Sequence, residues 1–305
     1  MHLYQRTDGR NVSKKPGELY ARPEGCQCLA VTSLKDRVSG FCRATGLKLN
    51  TDLGQHYLVD ETALESIVAS GKIAPGELVV EIGAGIGVLT EELLKAGARV
   101  RTIEFDGRVI PLLKAYVNSA QWDGKLEIIE GNALDVPFPD EPYKVIANIP
   151  YHITSPLLRH MFLESVRGPS SVSLLIQREV AERICNPEDS GLLTVVVSLF
   201  GKPSIVRHVP PAAFMPPPAV DSSIMHIDCY DTPLADGPTI DAVISLLKLC
   251  FGQKRKMLRN TLGSLPNGDA LMASADIDPT RRPQTLTTAE WITLARARAA
   301  SAGNA

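Results

Sequence analysis

An α/β fold, with a parallel sheet covered by helices on both faces and a small C-terminal α-helical domain behind it, is what this sequence predicts. Three observations carry the prediction. Short, nearly continuous apolar runs recur between residues 78 and 177. Segments with apolar residues at helical spacing separate them. Past residue 235 the strand-like runs stop and helical periodicity continues alone. Strand and helix in alternation is the pattern of βαβ units, whose strands are buried on both faces and therefore read as unbroken apolar stretches.

Residues 1–50 come first. They carry Arg6, Arg10, Lys14, Lys15, Arg22, Arg37, Arg43 and Lys48 but few long apolar runs, and read as a poorly ordered N-terminal extension. A secretory signal is not expected there, because no apolar stretch follows the basic residues. Asp8, Glu18, Glu24 and Asp36 argue against a transit peptide. The main domain is read over residues 51–235. Its strands are "LVVEI" (78–82), "RVRTIE" (99–104), "LEIIE" (126–130), "KVIAN" (144–148) and "SVSLLIQ" (171–177), with helices such as "GVLTEELLKAG" between them. A proline-rich connection over 203–218 leads to the alternating run "SSIMHID", a late strand. After "DTPLADGP", the segment "TIDAVISLLKLCF" opens a small helical domain over 236–305 whose last residues fray.

Composition narrows the function classes. At 305 residues, 44% hydrophobic and 22% charged, the chain reads as an ordinary globular protein. No stretch approaches the roughly 20 apolar residues of a membrane span. The six cysteines (Cys26, Cys28, Cys42, Cys185, Cys229 and Cys250) form no paired CxxC array, so neither a structural zinc site nor a disulfide framework is expected, and a reducing, cytoplasmic setting fits. A formal charge of −2 means that any nucleic-acid binding must come from local basic patches.

The chemistry gathers at strand ends. In "VVEIGAGIGVLTEELL", Gly83, Gly85 and Gly87 stand between a buried strand and a helix, where glycine permits a tight turn and close approach to a ligand. The dinucleotide fingerprint fails at its sixth position, Val88. Glu81 at the strand end would repel a pyrophosphate and suits a ligand with a cationic head. Glu104 ends the next strand, about 20 residues on, where a carboxylate can accept from ribose hydroxyls. "EGNALD" brings Asn132 and Ala133 to the same sheet edge, and Asn148 ends the fourth strand. A nucleoside bearing a cation is the ligand inferred, with S-adenosylmethionine as the candidate.

"NIPY" (148–151) then states what receives the methyl group. An activated methyl needs mainly an acceptor held in line with it. The exocyclic amine of adenine is a poor nucleophile because its lone pair is delocalised into the ring. Two hydrogen-bond acceptors, the Asn148 side-chain oxygen and a carbonyl of the Ile149–Pro150 segment, would favour the tetrahedral nitrogen. Pro150 fixes that backbone, and Tyr151 offers a face on which an extracted base can stack.

Taken together, "GQHYLVD", "EIGAGIG", "IEFD", "GNALD", "NIPY", "LLIQREVAERI" and "AAFMPPPAVDSSIMHI" resemble, in order and spacing, the ribosomal RNA adenine N6,N6-dimethyltransferase family. The resemblance runs from about Leu53 to Leu286. It implies a Rossmann-like S-adenosylmethionine-dependent methyltransferase fold, and methylation of two neighbouring adenines of small-subunit ribosomal RNA. It also implies cofactor contacts at Gln55, His56 and Leu58, and Phe214 as a second aromatic wall sandwiching the base against Tyr151. No metal is implied.

"CFGQKRKMLRNTL" and "IDPTRRPQTL" resemble the family's basic helical region, which makes Lys248, Lys254, Arg255, Lys256, Arg259, Arg281 and Arg282 the candidate RNA contacts. The expected partner is small-subunit ribosomal RNA within a pre-ribosomal 30S-type particle, bound by a monomer. Two readings stay open beside it: a large-subunit RNA methyltransferase of the macrolide-resistance type, and a non-catalytic assembly factor. The chain departs from the family pattern where Asn50, Thr51 and Asp52 replace a basic approach to "GQHYL", where Asn132 replaces a carboxylate, and in its overall acidity.

Overall fold

The computed structural model describes residues 33–47, 49, 54–188, 190–253 and 255–302. Lys48, the segment 50–53, Lys254 and most of the N-terminal extension lie outside the described residues.

Among the described residues the chain forms α1 (Leu34–Thr45), β1 (Tyr57–Leu58), α2 (Glu61–Ser70), β2 (Leu78–Ile82), α3 (Val88–Lys95), β3 (Arg99–Glu104), α4 (Ile110–Tyr116), β4 (Leu126–Glu130), β5 (Tyr143–Asn148) and α5 (Thr154–Arg159). It continues through β6 (Ser171–Gln177), α6 (Arg178–Cys185), α7 (Leu192–Phe200), β7 (Gly201–Val209), β8 (Phe214–Met215), β9 (Ser222–Cys229), α8 (Gly237–Phe251), α9 (Gly268–Ser274) and α10 (Thr288–Ala302). Seven strands make one sheet in the order β4-β3-β2-β5-β6-β9-β7. Neighbours from β4 to β6 run parallel, and β9 lies antiparallel between β6 and β7. The chain steps outward from β2 to β4, then returns to the other side of β2 as β5. The carboxyl ends of β2 and β5 therefore flank the point where strand order reverses, the usual ligand position in such sheets.

Alternation within each strand assigns the two faces. Val79, Ile146 and Leu175 pack with α1, α2 and α3 on one side. Leu78, Val80, Ile82, Val145, Ala147, Leu174 and Ile176 pack with α5 and α6 on the other. Both faces are covered, which is why these strands read as continuous apolar runs.

Two segments differ from the sequence expectation. Gly201–Val209, read as the start of a proline-rich connection, is strand β7. It is an edge strand, the position in a sheet where Pro203 is tolerated, and Val206 forms a bulge between Ile205 and Arg207. Leu34–Thr45, assigned to a poorly ordered extension, is a capped helix docked on the sheet domain. Ser33 accepts from the Asp36 N–H, and left-handed Gly46 closes the other end. Leu34, Val38 and Cys42 fall on one face at spacing four and are buried. Arg37 pairs with Glu91 at 3.0 Å and sits over the Tyr116 ring.

The C-terminal helices pack around Trp291, Leu246, Leu247 and Leu294, all fully buried, and α7 contributes Val195, Val196 and Leu199 to the same core. Asp236 caps α8 by accepting from the Thr239 N–H at 3.0 Å. Among the described residues no helix is long and apolar enough to cross a membrane.

Candidate active site

At the switch point the loop after β2 turns through Gly83, Gly85 and Gly87, with φ of 74°, 55° and 96°. Only glycine adopts these values without strain. At Gly85 a Cβ would also overlap the Tyr57 ring, and at Gly87 it would overlap Leu113 and Val117. The loop is clamped by β3: Glu104 Oε2 accepts from the Gly85 N–H at 2.8 Å, and Oε1 accepts from the Asp106 N–H at 2.9 Å. Burial raises the Glu104 carboxyl above the ordinary range, with the Asp106 charge adding to the effect and the backbone N–H bonds opposing it. Beside this clamp lies a cavity of about 350 Å³.

Gln55, Gly83, Glu104, Asn132, Ala133 and Pro150 line that cavity. Asn132 is held by its own turn: Oδ1 accepts from the Leu134 N–H at 3.1 Å and Nδ2 donates to Asp135 at 2.9 Å. Residues that sequence reasoning missed are Phe105, Asp106, His152 and Ile153, also in the lining. Phe105 is 69% exposed, an unusual place for a phenylalanine, and follows directly on the strand-end carboxylate. That signal was available in "IEFD". The Tyr57 hydroxyl, buried over Gly85, has no hydrogen-bond partner among the described residues.

Other assigned residues sit elsewhere. The Leu58 side chain is buried in the core and lines neither this cavity nor the smaller one beside it. Gly85 and Gly87 shape the loop but do not line the cavity, and their lack of a side chain serves packing against Tyr57 and α4. Glu81 does not line either cavity. It is 1% exposed, on the opposite face of β2 from Ile82, and accepts from Thr90 Oγ1 of α3 at 2.6 Å.

Burial pushes the Glu81 carboxyl up to about 7, Thr90 opposing and Glu104 adding to the rise. A carboxyl raised in the folded state contributes stability below its unfolded value near 4.5, and that contribution is lost as pH rises through about 7. The loss amounts to about 3 kcal/mol at about 1.4 kcal/mol per unit. Glu81→Gln, which keeps an acceptor for Thr90, is therefore expected to gain stability relative to wild type between pH 5 and pH 8. Denaturant melts at both pH values check this; a difference independent of pH would refute it.

A second, smaller cavity of about 130 Å³ adjoins the first, lined by Gly54, His56, Asn148, Ile149 and Tyr151. Asn148 Nδ2 donates to the His56 carbonyl at 3.1 Å, and its Oδ1 has no partner among the described residues. Pro150, with φ −57° and ψ 130°, opens the short helical turn Tyr151–Ile153. The Tyr151 hydroxyl shares a 2.7 Å hydrogen bond with Ser222 Oγ, and burial raises its pKa. Phe214 departs from its expected role: it is 3% exposed, paired to Leu58 in the β1–β8 ladder, and belongs to the core against α1 and α2. A resemblance supplies a residue's role but not the direction of its side chain.

The basic residues divide into two sets. Lys248, Arg255, Lys256, Arg259 and Arg282 are exposed, with no carboxylate partner among the described residues. Arg281 is committed to the fold: it pairs with Glu290 at 2.5 Å and donates to the Thr285 carbonyl. Among the described residues "KRKMLRN" is no continuous helix, for α8 ends at Phe251, and Gly252, Gln253 and Arg255 are turns ahead of the short turn Leu258–Asn260. Arg178 and Arg183 are neutralised by Glu182 and Glu179 on their own helix.

A clamped glycine loop at the switch point, a buried carboxylate at the end of β3 and an apolar-floored cavity fit S-adenosylmethionine, and define an S-adenosylmethionine-dependent methyltransferase. Its neighbouring slot, with an unpaired amide oxygen beside an aromatic face, suits an amino-group acceptor. More narrowly, the chain belongs to the ribosomal RNA adenine dimethylase family, whose model matches residues 46–299. It is 39% identical over 267 residues to the ribosomal RNA small subunit methyltransferase A of Dehalococcoides mccartyi (strain CBDB1), covering 84% of this chain and 89% of that protein. The protein of the same name from Sinorhizobium medicae is 38% identical over 259 residues, covering 82% and 93%. Among solved structures, a dimethyladenosine transferase from Plasmodium falciparum aligns with a TM-score of 0.67 and 29% identity over 78% of this chain and 96% of that one. The 23S ribosomal RNA methyltransferase ErmE aligns with a TM-score of 0.61 and 25% identity, covering 79% and 98%. The small-subunit relatives stand well above the large-subunit enzyme in identity.

Proposed function

We propose that this methyltransferase dimethylates the exocyclic amines of two adjacent adenines in small-subunit ribosomal RNA, acting as a monomer on a pre-ribosomal 30S-type particle in the cytoplasm. The observation that carries the reading is Asn148. Its Nδ2 is tied to the His56 carbonyl, so Oδ1 is the end of the amide left for a donor, and an adenine amine is such a donor. Within the adjoining backbone, the Pro150 carbonyl already accepts from the Ile153 N–H at 3.2 Å, which makes the Ile149 carbonyl the second acceptor.

When bound, S-adenosylmethionine supplies a methyl group already activated by its sulfonium. The chain's own part is placement. Asn148 and Ile149 draw on the two amine hydrogens and turn the nitrogen lone pair toward the methyl carbon. The bound cofactor would release the methyl with the C–S electron pair kept by sulfur, and the surplus proton would leave the nitrogen for water. Tyr151 holds the base by one face. The test is to incubate the protein with undermethylated small subunits and labelled cofactor, then locate the modified bases by mass spectrometry. Dimethyladenosine at two neighbouring positions is expected; label in large-subunit RNA alone, or none, would overturn the reading.

RNA attachment is assigned to Lys248, Arg255, Lys256, Arg259 and Arg282, with Lys254 among them in sequence. Replacing Arg255, Lys256 and Arg259 together by alanine is expected to lower the salt slope of RNA binding by about 1 for each phosphate no longer neutralised, without changing the melting temperature. Arg281→Ala is expected to do the opposite, lowering the melting temperature through loss of the Glu290 pair while the slope stays constant. Binding titrations over a salt series and thermal melts distinguish the two; an unchanged slope in the triple variant would make that surface mere solvated charge.

A further inference from the structure

We infer that Ser222 is a positioning residue that fixes the angle at which the Tyr151 ring meets the target base, an inference that rests on the adenine reading of the slot. Tyr151 lines the smaller cavity together with Asn148 and Ile149. It opens a turn of only three residues and is half-buried, so the backbone alone leaves its ring free to rotate. Two hydrogen bonds remove that freedom. Thr154 Oγ1 donates to the Tyr151 carbonyl at 2.9 Å and holds the near end. The 2.7 Å bond between the Tyr151 hydroxyl and Ser222 Oγ holds the far end of the ring.

Ser222 is a firm anchor because the sheet sets its place. β9 runs antiparallel to β6, so its first residue, Ser222, lies beside Gln177 at the end of β6, on the sheet edge where β5 ends in Asn148. On its other side Ser222 pairs with Val209 of β7, and it is fully buried. Packing does not require the hydroxyl pair: phenylalanine and alanine would fill the same space with no buried polar atom, at little cost in stability. What the pair adds is direction. A base stacked on a tilted ring carries its amine away from Asn148, and hydrogen bonds and in-line attack both weaken steeply with misplacement.

Ser222→Ala, Tyr151→Phe and the double variant all keep the aromatic face and lack this one bond. In single-turnover methylation of undermethylated small subunits, each is expected to be slower than wild type by about 10-fold. The double variant should be no slower than either single one, because the same bond is lost only once. Calorimetric titration should find S-adenosylmethionine affinity within a few-fold of wild type in all three. Melting temperatures separate positioning from stability. The double variant, with no polar group left unpaired, should melt close to wild type and still methylate slowly. A wild-type rate in Ser222→Ala, losses that multiply in the double variant, or a double variant that regains melting temperature and rate together would each overturn the role of Ser222. Wild type that labels no small-subunit adenine would overturn the adenine reading instead.

Discussion

Replacing Asn148 by alanine is expected to lower turnover about 10²- to 10³-fold while S-adenosylmethionine binds within a few-fold of its wild-type affinity. The magnitude follows from what the amide does. On the proposed reading it is one of two preorganised polar groups that meet the nitrogen whose charge changes as the methyl arrives, and removing one such group costs on this scale. The asymmetry between the two constants follows from position. Asn148 lines the smaller cavity, whereas Glu104, Asn132 and Gly83 line the larger one, the site proposed for the cofactor. Asn148→Asp sharpens the test. It keeps an acceptor but has no hydrogen to donate to the His56 carbonyl, so the carboxylate meets a carbonyl 3.1 Å from the position of Nδ2 and is no longer held in place. Single-turnover rates on small-subunit particles, set beside calorimetric cofactor titrations, read the two constants separately. An alanine variant that turns over at the wild-type rate would remove Asn148 from the chemistry.

How far this site could be read in advance depended on what kind of physical fact each residue expresses. The parallel strands were legible because burial on both faces leaves unbroken apolar runs, as in "LVVEI" and "SVSLLIQ". β7 was not, because an edge strand is half exposed and admits Pro203, so its pattern matches a connection as well as a strand. Helix α1 escaped because its buried residues Leu34, Val38 and Cys42 are single apolar positions among charged neighbours, and the partners that bury them are distant in sequence. Glu81 and Ile82 are adjacent, yet only Ile82 lines the cavity; which face of β2 meets the ligand depends on the whole sheet. Arg281 reads as one more basic residue until Glu290 is seen against it. Motif order brings these segments to one edge of the sheet, and tertiary partners decide which residues of each motif line the cavities.

Glu104→Gln is the second change expected to act strongly, here on the cofactor rather than the acceptor. The substitution preserves shape and removes one charge, and at an exposed strand end it would matter little. At this position both carboxylate oxygens accept from backbone N–H groups, those of Gly85 and Asp106. An amide offers one oxygen and one NH₂, so one of these N–H donors must then face another donor inside a buried site. Either the glycine loop or the turn after β3 shifts, and on the proposed reading the ribose hydroxyls lose an anionic acceptor as well. Together these effects should weaken S-adenosylmethionine binding by about 100-fold, equivalent to about 3 kcal/mol. Wild-type affinity should also fall as pH drops through the carboxyl's raised range, since protonation removes the anionic acceptor, while the Gln variant should stay flat over the same range. Calorimetric titration with S-adenosylmethionine across pH 5 to 8 measures both effects. Wild-type affinity in the Gln variant would mean that the two backbone bonds, not the cofactor, are the whole purpose of Glu104.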